Sequence, residues 1–429
     1  MSKQYPGGII SKTPPVPTQV AASGVWTLDQ QAYWQKLGQW PAPPLQISRS
    51  LRFNSADSAN LSRTFGTPTN ANVWTFSCWI KRSVLGGYST ILGRSGNTYP
   101  VYQFITSTNT FGVYDSGSAN TTAVFRDPSA WYHLVIQRTD STTVTVYFNG
   151  VNQLTSTGQT NAFNLSGSTY TIGKSNAGEY FDGYMTEVNF IDGQALTPAS
   201  FGYTDANTGV WTPYPYTGAY GTNGFYLNFS DNSNTTGNDS LVDSPTSYGV
   251  DTGVGGSVRG NYCTLNPLDK ASEVTLANGN LDVTWSNVTG HSIRSTMAMK
   301  YGKWYTEFIV GGNSSIGIAT QLFNMTSWVG SDANSWGYAP DGRKVTGSSY
   351  SSFGTALANG NIVGIAFDAD SGKLWFSLNG TWQASGSPST GANPAFTVAT
   401  ETDYFLAIGY WTSPTSNVNS LNAGQRPFA

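Results

Sequence analysis

Thr143-Val144-Thr145-Val146-Tyr147-Phe148-Asn149-Gly150-Val151 decides the fold. Val144, Val146 and Phe148 recur at every second position, so they share one face, while Thr143, Thr145 and Tyr147 occupy the other; this period of two belongs to a strand. Asn149-Gly150 then supplies the positive φ that a two-residue type I′ turn demands, which predicts a hairpin returning from Val151.

The same code extends in both directions. Ser50-Leu51-Arg52-Phe53, Trp74-Thr75-Phe76-Ser77-Cys78-Trp79-Ile80 and Trp131 to Arg138 alternate in the same way, each closed by turn residues. After residue 262 the pattern resumes with Leu276 to Trp285, Trp304 to Val310, Ile316 to Ala319, Ile362 to Phe367, Lys373 to Leu378 and Tyr404 to Ile408, and Asn379-Gly380 repeats the hairpin chemistry. Short strands at this spacing, almost without helical periodicity, predict antiparallel sandwiches. The chain is therefore expected to be all-β, with sandwiches at 46–232 and 266–429. Between them, residues 233–265 are rich in Asn, Ser and Gly and read as a connector.

Residues 1–45 differ. Tyr5-Pro6-Gly7-Gly8 and Pro14-Pro15-Val16-Pro17 suit neither helix nor sheet interior, because proline lacks the N–H donor and fixes φ. Thr27 to Leu37 combines an N-cap threonine, Gln30 at the capping-box position and apolar residues at helical intervals, predicting a short helix that Gly38 and Pro41 stop. With Trp26, Trp34 and Trp40 it carries more aromatic surface than it can hide alone. The segment is expected to be an extended arm that docks on its own sandwiches or on a neighbouring subunit.

Composition narrows the function classes. Only 10% of the 429 residues are charged and 14% are aromatic, against about 25% charged in average soluble domains. Hydroxyls, amides and aromatic rings suit sugar recognition or packing in an assembly. Twenty-one basic residues against 24 acidic ones give a net charge of −3, which does not favour electrostatic capture of nucleic acid or an anionic membrane. No stretch approaches the roughly 20 apolar residues of a spanning helix, and the Met1-Ser2-Lys3 start lacks an apolar leader, so synthesis in a cytoplasm without export of the chain by itself is expected. Cys78 and Cys263, one in each half, are expected to be reduced and buried.

Three resemblances follow from these residues. The first sandwich resembles laminin G-like domains of the concanavalin A-like jelly-roll type, through Ser50 to Phe53, Phe76 to Ile80, Trp131 to Val135, Val146 to Gly150, and Gly183-Tyr184-Met185-Thr186-Glu187-Val188-Asn189-Phe190 followed by Ala195-Leu196-Thr197. That family often has an acid before the closing-strand Glu, where Thr186 stands here. The second is similar to SPRY domains, through Gly302 to Glu307, Ser315 to Ala319, Val363 to Asp368 and Leu374 to Trp382. The arm, with Tyr5-Pro6-Gly7-Gly8 and later Gly24 to Gln30, resembles openings of tailed-bacteriophage virion proteins. These resemblances imply loop-based binding on a virion surface, with residues 1–45 as the anchor and Tyr5, Pro6, Trp26, Trp34 and Trp40 as its contacts.

Residues able to do chemistry are few. His133 lies inside an alternating strand and reads as structural; His291 has no ligand partners at metal spacing, and neither a metal nor a cofactor is expected. Glu179, Asp182 and Glu187 are the nearest approach to the carboxylate pair of a glycosidase, and no phosphate-loop or nucleophile-elbow motif occurs. Met325 to Arg343 concentrates aromatic, acidic and basic residues; Trp336 and Tyr338 fit a SPRY core strand, leaving Trp328, Asp332, Asp341 and Arg343 as candidate ligand contacts. The expectation is a noncatalytic phage fibre or adhesin, forming a homo-oligomer in the virion and binding a host-surface glycan or protein. A capsid or tail decoration protein without a receptor, and a polysaccharide-degrading enzyme, are the second and third readings.

Overall fold

The computed structural model describes residues 28–36, 45, 47–205, 209–230, 240–241, 261–286, 290–411, 417–426 and 428. They form two successive β-sandwiches, so the all-β expectation holds. In the first, one sheet runs 151–156, 144–148, 132–138, 74–82, 183–192, 50–53 and 240–241, with 225–227 also paired to 183–192. The facing sheet runs 61–64, 169–172, 89–94, 101–104, 111–114 and 118–120. All these pairings are antiparallel. The alternation read from Val144, Val146 and Phe148 points those side chains into the core between the sheets, beside Trp74, Phe76 and Phe190. Ser240–Leu241 adds a short strand against Ser50–Leu51, inside the stretch expected to be only a connector.

The second sandwich has one sheet in the order 265–270, 292–299, 404–410, 314–319, 335–338, 343–346 and 349–352. Its partner runs 274–277, 282–285, 419–422, 303–309, 362–368, 373–378 and 381–382, with 396–397 also joined to 373–378. Ile316, Ile318, Tyr338, Phe376 and Ile408 meet in its core.

Both anticipated hairpin turns form, and by the same device. Asn149 and Gly150 take φ of 47° and 79°, and Asn379 and Gly380 take 47° and 78°. Each asparagine also clasps the strand beyond its own hairpin: Asn149 Oδ1 accepts from His133 N while Asn149 N donates to His133 O, and Asn379 does the same with Ile362. A glycine at the same φ could not make the side-chain half of that clasp.

A sealed seam joins the two sandwiches. Ile47, Trp79, Trp131 and Tyr184 of the first unit enclose Leu281 of the second. Tyr184 Oη donates to Gly279 O at 2.7 Å, and Asn280 Nδ2 donates to Ser83 O at 2.7 Å. Lys81, fully buried, donates to Asn261 Oδ1 at 2.7 Å and Tyr262 O at 2.9 Å, with its ammonium 5.2 Å from the Tyr184 ring centre. Gly279 is held at φ +68°, and a Cβ there would lie 2.5 Å from Tyr184 Oη, so both conformation and space require glycine.

Residues Leu28–Lys36 form the helix expected in the arm, with Trp34 half-buried and edge-on to Tyr33 at 5.2 Å. Tyr5, Pro6, Trp26 and Trp40 lie outside the described residues.

Candidate ligand-binding surface

The outer face of the second unit's first sheet carries small residues where other strands carry bulk. Gly317 stands in register with Gly337 on one side and Ala407 on the other, and Gly409 faces Ser315. Residues 320–334 lie flat on this strip, where Phe323 and Val329 pack on Ala319 and Ala407. A Cβ on Gly337 would come within 2.7 Å of Val329 O, and one on Gly409 within 3.0 Å of Val329 N. Missing side chains therefore let this backbone descend onto the sheet.

The descent places Trp328 beside two rings from distant parts of the chain. Trp328 stacks on Trp411 at 4.8 Å between centres and 23°, and on Tyr350 at 5.8 Å and 26°; Tyr350 and Trp411 are 5.3 Å apart. Trp411 directly follows strand Tyr404–Tyr410, and Tyr350 lies in the exposed edge strand Ser349–Ser352. Arg343, across the last hairpin, sets its guanidinium carbon 4.2 Å from the centre of the Tyr350 ring. Its Nη2 meets Asp341 Oδ2 at 2.5 Å and its Nε donates to the same oxygen at 2.7 Å. Burial would raise the Asp341 carboxyl, but the Arg343 hydrogen bonds outweigh it and hold Asp341 below the usual range; the same contact raises Arg343 further. The result is a half-exposed surface of three rings edged by one cation and one anion, able to stack on the apolar face of a ligand and hydrogen-bond its rim.

Of the four residues singled out from sequence, Trp328, Asp341 and Arg343 come together here. Asp332 instead closes its own loop, because its carboxylate accepts from Asn334 N, Ser335 Oγ and Asn324 N. Trp336 and Tyr338 lie in the strand Ser335–Tyr338, with Tyr338 fully buried. Sequence reasoning misses Tyr350 and Trp411. Only a stray aromatic near each strand marks them, and nothing in the sequence places positions 328, 350 and 411 together.

The other candidates have local partners. His133 is buried with both ring nitrogens engaged: Trp211 Nε1 donates to Nδ1 at 3.0 Å, so Nε2 carries the proton toward Ser77 Oγ at 2.9 Å. Burial lowers its pKa to about 3. His291 Nε2 lies 3.2 Å from Glu273 Oε2. Asp182 Oδ2 accepts from Ser55 N and Oγ, Glu179 Oε2 from Ser175 Oγ, and Glu187 Oε2 from Tyr226 Oη, so the three carboxylates are each tied to a different group. Thr186 Oγ1 donates to Arg49 O. Cys78 and Cys263 are free and buried.

Two tandem sandwiches with a loop-borne aromatic surface fit a binding role. Comparison with known proteins gives each unit a family. Residues 53–200 match the laminin G-like family model described as the concanavalin A-like lectin/glucanases superfamily, and residues 303–418 match the SPRY domain; the chain carries both domains. A Dictyostelium discoideum protein described as "Probable ATP-dependent RNA helicase ddx1" is 30% identical over 88 residues, which is 20% of this chain and 12% of that one. The chain thus spans about one eighth of that curated relative. Among solved structures, the SPRY domain of human HERC1 is 12% identical with TM-score 0.30, covering 38% of this chain and 99% of that one. A Bacteroides ovatus protein described as carbohydrate-binding is 18% identical with TM-score 0.34, covering 46% and 55%.

Proposed function

We propose that this chain is a noncatalytic adhesin of a bacteriophage particle, held by residues 1–45 to other virion proteins and binding a host-surface glycan through Trp328, Tyr350 and Trp411 with Arg343 and Asp341. The observation that carries the binding role is the ring cluster, in which residues from three separated segments present aromatic surface beside an ion pair. Phage origin and anchoring rest on the resemblance of the arm. Many copies on one particle would convert weak single-site contacts into firm attachment.

One observation favours a second reading, a particle-decorating protein without a receptor. Trp328 stacks on both Tyr350 and Trp411 and Arg343 is already closed onto Asp341, so the cluster also serves as a clasp for the edge hairpin. Adsorption competition separates the two. Excess purified chain should slow attachment of the phage to its host in proportion to dose, and a Trp411→Ala, Tyr350→Ala variant should not. Absence of slowing, even with the chain oligomerised to restore avidity, would favour decoration. Removal of residues 1–45 should leave a cooperatively melting protein that fails to join particles; normal incorporation would overturn the anchoring role.

A further inference from the structure

One flank of the first sandwich is only partly closed. Its edge strands there are Leu61–Thr64 in one sheet and Phe225–Leu227 in the other. At one end the flank is laced shut: Gly66 N donates to Asn223 Oδ1 at 2.8 Å, and Asn223 Nδ2 donates to Gly66 O at 3.0 Å. Arg63 Nη1, donating to Gly224 O at 3.3 Å, is the last stitch. Past it, toward Leu61 and Leu227, no hydrogen bond among the described residues joins the two strands, and a slot of about 350 Å³ runs in between the sheets.

Strand register gives the slot two unlike ends. Arg63 pairs with Tyr170 and Phe225 with Phe190, which makes one end aromatic and cationic. Phe225 stacks on Phe190 at 5.8 Å and 21°, and the Arg63 guanidinium carbon stands 5.5 Å from the centre of the Phe225 ring. Two residues further along each strand, Leu61 pairs with Ile172, itself paired with Leu92, and Leu227 lies across from them. That end is aliphatic. The floor, formed by Phe65, Leu92, Tyr170, Ile172 and Phe190, is at most 5% exposed. Its one polar atom is already committed, because Tyr170 Oη donates to Phe163 O and accepts from Leu165 N at 2.9 Å.

We infer that this slot is a binding site for a straight-chain fatty carboxylate, with the carboxylate on Arg63 and the tail running toward Leu61 and Leu227, independent of the Trp328, Tyr350 and Trp411 surface. A sugar or a peptide pushed into the slot would leave its hydroxyls or amides unpaired there; an alkyl chain has none to satisfy. Charge complementarity fixes the head. Arg63 is exposed and meets no carboxylate among the described residues, and its bond to Gly224 uses Nη1 alone, so Nε and Nη2 can take both oxygens of an anion. Size sets the tail: 350 Å³ lies at the small end of ligand pockets and, at roughly 30 Å³ per water-sized group, holds about ten to twelve carbons.

The test is titration calorimetry of the full chain with decanoate, its shorter homologues and decanol. Affinity should rise roughly fourfold for each methylene from hexanoate to decanoate and level off beyond dodecanoate, and decanol should bind roughly tenfold more weakly than decanoate. Arg63→Gln should abolish that preference and leave decanol binding intact. Leu227→Glu, which sets a like charge in the slot, should weaken decanoate by more than Arg63→Gln does. Both positions are on edge strands, so melting should match the parent chain; if Leu227→Glu does not fold, Arg63→Gln decides alone. No saturable decanoate binding, an affinity indifferent to chain length, equal affinity for decanol and decanoate, or a preference for decanoate that survives Arg63→Gln would each overturn the inference.

Discussion

Trp411 is invisible to sequence reasoning because its significance depends on where strand Tyr404–Tyr410 sits in the sheet. That strand lies between 292–299 and 314–319, pairs formed across long sequence separations, and period-two alternation fixes which face a residue takes but not which strand lies next to it. Arg343 and Asp341, two residues apart, are legible as a pair for the opposite reason. Replacing Trp411 by alanine removes its stacked contact with Trp328 and its tilted contact with Tyr350, each worth about 1 kcal/mol, and takes one ring from the surface proposed to bind glycan. On that proposal glycan affinity should fall roughly tenfold while the melting temperature drops by only a few degrees; calorimetry beside binding would show both. A different residue predicts a pH effect. Glu187, 7% exposed and at φ +51° in a bulge of strand Gly183–Asp192, has its carboxyl pushed up to about 7 by burial, against the hydrogen bond from Tyr226. A carboxyl raised on folding stabilises the protein fully below its unfolded value near 4.5, and that contribution is lost as pH rises through about 7. Denaturant midpoints should therefore decline between pH 5 and 8, and Glu187→Gln should remove on the order of 3 kcal/mol of that decline; parallel curves for the two proteins would refute the assignment.

Elements are more legible than sites, because strand periodicity and turn chemistry are local. The Asn149-Gly150 and Asn379-Gly380 turns, the core strand holding Trp336 and Tyr338, and the helix over Leu28–Lys36 all follow from neighbours within a few positions. By contrast, the docking of 320–334 is not legible. It depends on Gly337 and Gly409, where a Cβ would meet Val329, and their place under the loop shows only once their strands are aligned. Gly337→Ala should lift Val329 from the sheet and cost roughly 1–3 kcal/mol, as overpacking does. On the proposed function it should also reduce glycan binding through displacement of Trp328, although residue 337 lies outside the ring cluster. Unchanged melting and binding in that variant would show that the loop finds its height by other means.

For the whole molecule, composition points toward a class of surface chemistry, whereas the seam between sandwiches leaves no trace in the pattern. Asn278-Gly279-Asn280 falls inside Leu276 to Trp285, which alternation reads as one strand, but positive φ at all three makes it the turn between strands Val274–Ala277 and Asp282–Trp285, and it carries Gly279 and Asn280 into contact with Tyr184 and Ser83. Because Lys81 is fully buried and hydrogen-bonded to Asn261 and Tyr262, separating the units re-exposes an ammonium that folding had desolvated. The two should unfold in one calorimetric transition. Asn261→Ala withdraws one acceptor from a buried charge, at a cost of about 1.5–3 kcal/mol, and should split or broaden that transition; two independent transitions in the parent chain would contradict a closed seam.

The bond from Lys81 to Tyr262 spans 181 positions, which bears on how the chain is made. Domains emerging from the ribosome generally fold in order, N-terminal first. Here the strand Trp74–Arg82 is synthesised long before the acceptors for its lysine exist, so the first sandwich must wait with a wet, open flank until residues 261–281 emerge. Nascent chains arrested before residue 261 should therefore be more readily cleaved by protease around Trp79 and Tyr184 than chains arrested after residue 281, and the last step of maturation for the first unit is written in the second.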